Sequence, residues 1–249
     1  MSKPASTRLD QRMLTDGLVA SRARARDLIL RGFVLVDGKP CTKPAQSVVA
    51  QAAITLARDA PGFVSRGAEK LIAALDTFAF DPAGRAALDA GASTGGFTQV
   101  LLERGARRVY AVDVGKSQLH ECLRGDPRVI SLEACDVRRI GSAELKEPIE
   151  ALAADLSFIS LTKAIGPVMG LASPGAFLVA LVKPQFELTP GEIGKGGIVR
   201  DAAARARAVE NVGAFVSSQP GWRIRGVIAS PIVGGSGNEE FLLGATKDA

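Results

Sequence analysis

Short apolar runs alternate with longer amphipathic segments from residue 61 onward, and this alternation predicts strands and helices in turn. The predicted strands are 86–89, 109–113, 129–132, 151–155, 177–182, 222–229 and 241–245. The predicted helices are 67–77, 98–104, 161–171 and 202–217. This order is typical of a Rossmann-like, doubly wound α/β sheet, whose ligands bind at the carboxyl ends of the strands. A Pro/Gly-rich loop joins the last two strands, which predicts an antiparallel hairpin at the edge of an otherwise parallel sheet.

The first sixty residues follow a different pattern. Apolar positions at helical spacing predict helices at 8–14 and 22–31, with Ser21 as the N-cap of the second and Gly32 at its end. Alternating residues predict strands at 33–36 and around 53–56, and Asp37-Gly38 is typical of a tight turn. The sequence therefore predicts a small α+β domain, 1–60, followed by an α/β domain, 61–249.

The positive charge of the chain is concentrated in this first domain. The chain carries a net charge of +5, and residues 1–60 contain ten Lys or Arg against five Asp, whereas the remainder is balanced. A basic domain beside a neutral one favours contact with a polyanion. The alternative is that the charged helix face contacts only water. The candidate contacts are Arg8, Arg12, Arg22, Arg24, Arg26 and Arg31, and within 22–31 only Asp27 can neutralise them.

Several protein classes do not fit the composition. No apolar stretch approaches the ~18 residues of a membrane helix, and the first residues lack the apolar core of a signal peptide. Three scattered cysteines argue against disulfides and a cysteine-based metal site. We therefore expect a soluble cytoplasmic protein without a metal.

The N-terminal motifs resemble a known RNA-binding domain. They are Arg8-Leu9-Asp10, then Ser21-Arg22 with Ala25, then the Gly-x-Val-x-Val-x-Gly run at 32–38. In this order they are similar to the S4 domain. The resemblance implies that the two helices and the turn after them contact RNA.

A glycine-containing loop follows the strand that ends at Asp89. The loop does not have the Gly-x-Gly-x-x-Gly spacing of nicotinamide-binding folds. The segment 91–95 does match the Gly-x-Ser-x-Gly motif of serine hydrolases. However, the only histidine, His120, precedes Asp155 and lies far from the C-terminus, which argues against a serine-hydrolase triad.

The third interpretation of this loop is a site for S-adenosylmethionine, which carries positive charge but no phosphate. In such a site the backbone must come close to the cofactor. Acidic residues at successive strand ends then accept hydrogen bonds from its ribose and its adenine. A single such acid could equally cap a helix, whereas three in succession favour a cofactor site. The candidate cofactor-binding residues are Asp89, Gly91, Ser93, Gly95, Gly96, Phe97, Asp113 and Asp136.

Four ionisable residues are expected near the same edge of the sheet. Asp155 and Lys183 end apolar strands, Lys70 lies in the helix before the first strand, and Glu240 begins the last strand. A charge that ends an apolar strand is costly unless it is paired or exposed at a site. The alternative is a set of surface lysines with carboxylate partners, and for Lys70 that alternative is strong.

Five motifs together resemble the TlyA family of rRNA 2'-O-methyltransferases, whose catalytic domain is similar to the FtsJ class. They are the glycine loop and the segments SRGAEKL (65–71), DLSFIS (155–160), VKPQFE (182–187) and GNEEF (237–241). The resemblance implies a Lys-Asp-Lys-Glu catalytic set, which corresponds to Lys70, Asp155, Lys183 and Glu240. Glu240 is preferred to Glu239 because the family pattern is Gly-Asn-x-Glu-aromatic.

The expected function is therefore S-adenosylmethionine-dependent 2'-O-methylation of ribose, in cytidine, with ribosomal RNA or a ribosomal subunit as partner. In this interpretation Lys183 is the base, Asp155 orients it, and a nearby Lys70 together with partial burial favours its neutral form. Two alternatives from other classes are a membrane-active hemolysin, which the historical family name suggests, and a non-catalytic RNA-binding protein.

Overall fold

The computed structural model describes residues 6–19, 21–58, 60, 62–234 and 237–248. It divides into two compact units, Met1–Ser65 and Arg66–Ala249. The helices and strands of the first unit are β1 (Ser6–Arg8), α1 (Leu9–Thr15), α2 (Arg22–Leu30), β2 (Val34–Val36), β3 (Lys39–Pro40), β4 (Ser47–Val49) and β5 (Ile54–Leu56).

The first unit is built on the two helices and on two small sheets. Helices α1 and α2 bury a shared apolar face that includes Leu9, Met13, Leu28 and Ile29. β1 pairs with β4, and β2 lies between β3 and β5. The predicted turn at Asp37 and Gly38 is confirmed by their positive φ angles, 50° and 77°. Strands β1, β3 and β4, of two or three residues each, were not predicted.

The second unit contains seven α-helices among its described residues, and all of them precede its last two strands. Its helices are α3 (Gly67–Phe78), α4 (Gly96–Glu103), α5 (Glu121–Arg124), α6 (Leu161–Ala164), α7 (Gly166–Gly170), α8 (Pro184–Glu187) and α9 (Ala202–Ser218). Its strands are β6 (Ala86–Ala90), β7 (Arg108–Val112), β8 (Val129–Leu132), β9 (Ile149–Ala154), β10 (Ala172–Val182), β11 (Trp222–Ala229) and β12 (Phe241–Lys247).

These seven strands form one sheet in the order β11-β12-β10-β9-β6-β7-β8. The pairs among β10, β9, β6, β7 and β8 are parallel, and β12 runs antiparallel to both β10 and β11. The predicted Rossmann-like sheet and its antiparallel hairpin at one edge are therefore confirmed. All five residues of β6 are buried, as expected for the central strand of a parallel sheet covered on both faces.

Two predicted elements differ from the structure. The predicted helix 161–171 is two short helices, because Pro167 has no N–H to donate to the carbonyl of Lys163 and begins a new helix instead. Strand β10 begins at Ala172, five residues before the prediction. Ser173, Pro174 and Gly175 have the composition of a turn, and the structure places them in an irregular stretch of the ladder between Ala172 and Phe177.

The sheet directs its polar strand ends to one edge. The chain leaves β6, β7, β9 and β10 at their carboxyl ends, where parallel strands bring their following loops together. The strands beneath this edge form part of the hydrophobic core, in which Leu88, Tyr110 and Leu152 are fully buried. Among the described residues, no helix is both long enough and apolar enough to cross a membrane.

Candidate active site

The loop after β6 has a backbone that only small residues allow. Gly91 and Gly95 have φ angles of 88° and 99°, and α4 begins at Gly96. A Cβ atom on Gly91 would lie 2.5 Å from the carbonyl oxygen of Asp155, and one on Gly95 would clash with Leu123. The glycines therefore let the loop pack against the segment that follows β9 and against α5.

Asp89, at the end of β6, is completely buried and only half satisfied. Its Oδ2 atom accepts a hydrogen bond of 2.6 Å from the hydroxyl of Thr98, and its Oδ1 atom accepts none from the described residues. The pKa of Asp89 is raised to about 7, and burial of the carboxyl group is the main cause. The hydrogen bond from Thr98 opposes this shift, whereas the charge of Asp155 acts in the same direction as burial. A buried acid with an unused acceptor atom is suited to a nearby cationic group.

Asp113 joins the glycine loop to the loop after β7. Its Oδ2 atom accepts from the backbone N–H of Ser93 at 2.8 Å, and its Oδ1 atom accepts from that of Gly115 at 2.7 Å. Ser93 itself has a φ angle of 48°, a left-handed conformation that side chains rarely adopt. The carboxylate of Asp113 thus holds the loop in a shape that its own side chains disfavour.

Asp136 combines a place in the cavity with the role of a helix cap. Its side chain accepts from the backbone N–H of Arg138 at 3.0 Å and begins the 3₁₀ turn Val137–Arg139. The guanidinium of Arg138 lies 2.5 Å from its Oδ2 atom and holds the pKa of Asp136 down at about 2. Asp136 therefore does cap a helical turn, which was the alternative role considered for any single acid at a strand end.

A cavity of about 620 Å³ opens between these loops, a size typical of small-molecule sites. Of the eight residues expected to bind a cofactor, Gly91, Ser93, Asp113 and Asp136 line it. Asp89 and Phe97 lie beneath in the core. The remaining lining residues combine apolar side chains with a few polar groups: Val112, Val114, Gly115, Gln118, Cys135, Val137, Arg138, Asp155, Leu156, Ser157, Phe158 and Ile159. Apolar walls beside two acids fit an adenosine group, and the unsatisfied oxygen of Asp89 fits an adjacent cation.

Two residues near this cavity were missed from the sequence. Glu133 accepts hydrogen bonds from the backbone N–H groups of Ser117, Gln118 and Leu119 at 2.7–3.2 Å, and so shapes one wall. The signal was present, because Glu133 directly follows β8 as Asp113 follows β7. Phe158 is 92% exposed with a φ angle of 65°. No pattern of apolar residues reveals an aromatic side chain that faces solvent.

The four ionisable residues form two ion pairs at the same edge of the sheet. The Nζ atom of Lys70 lies 2.5 Å from Oε2 of Glu240, and both side chains are buried. The Nζ atom of Lys183 lies 2.6 Å from Oδ1 of Asp155. The same Nζ atom also donates a hydrogen bond of 2.8 Å to the hydroxyl of Ser157.

The sheet explains why the two pairs are neighbours. Val182 is the partner of Phe241 in the antiparallel ladder, so Lys183 and Glu240 are the next two residues beyond its end. Glu239, the alternative to Glu240, is 60% exposed in its side chain and lies 3.2 Å from Arg205. The geometry therefore associates Glu240, and not Glu239, with Lys70.

The arginines of the first unit are mostly engaged within it. Arg8 and Arg22 both pair with the buried Asp10, at 2.9 and 3.0 Å, and the hydrogen bond from Arg8 holds the pKa of Asp10 down at about 2. The expectation that only Asp27 could neutralise Arg22 was therefore wrong. Asp10 lies on the neighbouring helix, and no spacing within 22–31 could show it.

The other four arginines differ in exposure. Arg12 pairs with Asp16 at 2.7 Å, and Arg31 lies 3.7 Å from Asp27 and over the ring of Phe33. Arg24 is only 8% exposed and bonds to Asp27 at 3.2 Å. Arg26 is exposed, and no ion pair joins it to another described residue. Arg26 is therefore the arginine of α2 that is most available to an external anion.

No cluster of three or more His, Cys, Asp or Glu side chains in the described part of the chain is placed to hold a metal ion.

Comparisons with known proteins cover nearly the whole chain. The profile of the S4 domain matches residues 7–54, and that of the FtsJ-like methyltransferase family matches residues 63–247. The chain is 48% identical over 237 residues to the 16S/23S rRNA (cytidine-2'-O)-methyltransferase TlyA of Mycobacterium tuberculosis, which spans 95% of this chain and 88% of that relative.

Two further relatives bear a different name. Hemolysin A of Brachyspira hyodysenteriae is 38% identical, over 94% of this chain and 98% of its own. A solved structure from Streptococcus thermophilus, described as a hemolysin, superposes with a TM-score of 0.77 at 37% identity, over 99% of this chain and 90% of that one.

Proposed function

Since the chain belongs to the TlyA family of FtsJ-like methyltransferases, we propose that it transfers a methyl group from S-adenosylmethionine to a ribose 2'-hydroxyl of ribosomal RNA in the cytoplasm. Residues 1–60 would bind the RNA, and residues 61–249 would carry out the transfer. The relative from M. tuberculosis is named for cytidine modification, and we extend that substrate to this chain. A 2'-hydroxyl is present in RNA and absent from DNA.

One observation carries the proposal: two lysine–carboxylate pairs, Lys70–Glu240 buried and Lys183–Asp155 partly buried, lie at the edge of the sheet where the cavity opens. Asp155 belongs both to the cavity wall and to one of these pairs. A lysine amine is therefore held next to the place where a cofactor would be bound. Burying charges of this kind is costly in free energy unless they are fully paired. Ionisable groups in such settings are concentrated at functional sites.

Different residues of the chain would bind different parts of the cofactor. Asp113 and the backbone of the glycine loop would meet its ribose, and Asp136 and the apolar wall would meet its adenine. When bound, S-adenosylmethionine supplies an electrophilic methyl group. Asp89, buried beneath the loop, favours positive charge above it through the unsatisfied Oδ1 atom.

The lysines and carboxylates would manage the proton of the ribose hydroxyl. That hydroxyl must lose its proton as its oxygen attacks the methyl carbon, and the neutral amine of Lys183 would accept it. The carboxylate of Asp155, 2.6 Å away, would then stabilise the ammonium group that forms. The Lys70–Glu240 pair would orient the ribose, and alignment of the reacting atoms would supply much of the acceleration.

The experiment that tests the proposal is transfer of tritium from labelled cofactor to isolated ribosomal subunits, followed by mapping of the modified ribose. A 2'-O-methylated cytidine is expected. Labelling of a base, or of no RNA, would reject it. Cofactor binding by calorimetry without any transfer would favour a non-catalytic RNA-binding protein.

The hemolysin alternative rests on the names of relatives such as Hemolysin A of B. hyodysenteriae and the solved structure from S. thermophilus. Lysis of erythrocytes by the purified protein, with equal potency in a Lys183→Ala variant, would favour it over methyl transfer. We expect no lysis.

A further inference from the structure

The chain after Lys183 is fastened to both of the segments that carry the carboxylates. We call residues 184–199 the bracket segment. It contains α8 and two 3₁₀ turns, Pro190–Glu192 and Lys195–Gly197. In the structure, side-chain hydrogen bonds hold each of its ends.

Glu187 holds the near end of the bracket segment. Its Oε2 atom accepts a hydrogen bond of 2.5 Å from the hydroxyl of Ser160, and its Oε1 atom accepts one of 2.8 Å from the backbone N–H of Leu161. Ser160 and Leu161 belong to the segment that follows Asp155. The chain that leaves Lys183 is thus bonded to the chain that leaves its ion-pair partner.

Asn238 holds the far end of the bracket segment. Its side chain is 2% exposed, accepts from the backbone N–H of Val199 at 2.9 Å and donates to the carbonyl of Gly197 at 2.8 Å. The amide thereby uses a donor and an acceptor at once, which neither aspartate nor leucine of similar size can do. The guanidinium of Arg205 adds bonds of 3.1 and 2.9 Å to the carbonyls of Val199 and Arg200.

The position of Asn238 links this fastening to Glu240, two residues later. The carbonyl of Asn238 accepts from the backbone N–H of Gly234 at 2.8 Å, and a side chain on Gly234 would clash with Oε1 of Glu240. On the other side, the ladder pairs Val182 with Phe241. The ladder, the bracket segment and Asn238 therefore close a ring of chain that contains both Lys183 and Glu240.

We propose that Asn238 is a positioning residue that locks the bracket segment to the Glu240 segment, and so fixes Lys183 relative to the Lys70–Glu240 pair. Its contribution to methyl transfer rests on the proposed function. Asn238 touches neither a lysine nor a carboxylate of the set through its side chain. Its loss should therefore leave the cofactor site intact and misplace the base.

The test compares Asn238→Ala with Asn238→Asp, which retains the acceptor for Val199, and with Asn211→Ala, an exposed asparagine of α9. Hydrogen exchange reports the freedom of residues 194–199. Trace acetylation of lysines, read by mass spectrometry, reports the exposure of Lys183 without requiring activity. Calorimetry gives the cofactor Kd, and a single turnover on ribosomal subunits gives the rate of methyl transfer.

For Asn238→Ala we expect faster exchange at 194–199, faster acetylation of Lys183, an unchanged cofactor Kd and a transfer rate lower by about tenfold to a hundredfold. Asn238→Asp should lie between this variant and the wild type, and Asn211→Ala should match the wild type. If Asn238→Ala does not fold, the aspartate variant is judged by the same criteria.

Wild-type transfer by a variant whose bracket segment exchanges faster would overturn the proposal, and so would unchanged exchange. If the wild-type chain methylates no RNA, the proposed function fails by itself. Acetylation then decides the positioning role: faster reaction of Lys183 in the Asn238 variants supports it, and an unchanged rate refutes it.

Discussion

Lys70 and Glu240 are 170 positions apart in the chain, and their charged atoms lie 2.5 Å apart in the interior of the second unit. The side chains are 10% and 3% exposed. Each charge has lost most of its hydration, so the attraction between the two must offset the cost of burying both. The pair is consequently a unit, in which neither residue is stable in its charged form without the other.

Replacing one partner should therefore cost more than replacing both. We expect Glu240→Gln to lower the free energy of unfolding by about 3–5 kcal/mol, because it leaves the ammonium of Lys70 buried and uncompensated. Adding Lys70→Met should recover a large part of that loss. Urea denaturation, followed by the fluorescence of the single tryptophan, Trp222, measures all three variants. Simple additivity of the two substitutions would contradict the coupling.

The sequence predicted that the four ionisable residues meet and that Asp155 orients Lys183, but it did not predict that Glu240 pairs with Lys70. Asp155 and Lys183 could be assigned to one edge because each ends an apolar strand, and parallel strands share their carboxyl edge. The partner of each lysine depends on the order β12-β10-β9 and on the Val182–Phe241 register. That order is set by contacts between distant strands, which leave no trace in the local pattern.

The same limit applies to the first unit. Helical spacing identified Leu9 and Met13 as the buried face of α1, and both are fully buried. It could not show that Asp10, beside them, is also fully buried and pairs with Arg22 of the next helix. Ion pairs between elements depend on how helices pack, whereas ion pairs within a helix follow from spacing alone.

Loss of the proposed base should abolish the reaction and spare the cofactor site. We expect Lys183→Ala to lower the rate of methyl transfer by about 10²–10⁴-fold, the usual contribution of a general base. Its Kd for S-adenosylmethionine should not change, because Lys183 does not line the described cavity. Single-turnover transfer and calorimetry give the two quantities, with Lys146→Ala, an exposed lysine, as the control. Substantial turnover by Lys183→Ala would reject it as the base.

The buried Asp89 should make stability depend on pH in a defined direction. Its pKa is raised to about 7 by burial, from the ordinary 3.8, so the folded chain retains a proton that the unfolded chain releases. The stability associated with that proton is complete below about pH 4 and is lost as the pH rises through 7. Asp89→Asn, which cannot ionise, should escape this loss.

The advantage of Asp89→Asn over the wild type should therefore grow by up to about 1.4 kcal/mol per pH unit as the pH approaches 7, and then level off. Thermal unfolding from pH 5.5 to 8.5 measures it. An exposed acid of the same type, Asp81, offers the control Asp81→Asn, which isolates the effect of the substitution at a position that is not buried. A constant difference for Asp89→Asn would show that the acid is ionised throughout.

Glu133 should govern cofactor affinity without touching the cofactor. Its carboxylate accepts from three backbone N–H groups of residues 117–119, and the first of these bonds, from Ser117, is the main cause of its lowered pKa. Glu133→Gln removes the negative charge that strengthens these three hydrogen bonds, so residues 117–119 should be held less firmly. We expect the Kd for S-adenosylmethionine to rise by about tenfold to a hundredfold. Glu121→Gln, on the exposed side of α5, is the matched control, and equal affinities of the two variants would count against the role.

The arginines of α2 should separate RNA contact from folding. Arg26 is exposed, and no ion pair joins it to another residue in the described ranges, whereas Arg24 is 8% exposed and bonded to Asp27. Arg26→Gln should weaken RNA binding and lower the slope of log K against log salt by about one, because one phosphate contact is lost. It should leave the Tm unchanged, since no ion pair or side-chain hydrogen bond joins Arg26 to another described residue.

Arg24→Gln should do the reverse. It breaks a nearly buried bond to Asp27 and should lower the Tm while it leaves the salt slope as in the wild type, because a buried guanidinium releases no counterions from RNA. Binding of a ribosomal RNA fragment at several salt concentrations, together with thermal unfolding, distinguishes the two variants. A reduced salt slope for Arg24→Gln would mean that α2 rearranges to present this arginine when RNA binds. That result would support the sequence-based prediction that all six arginines contact RNA.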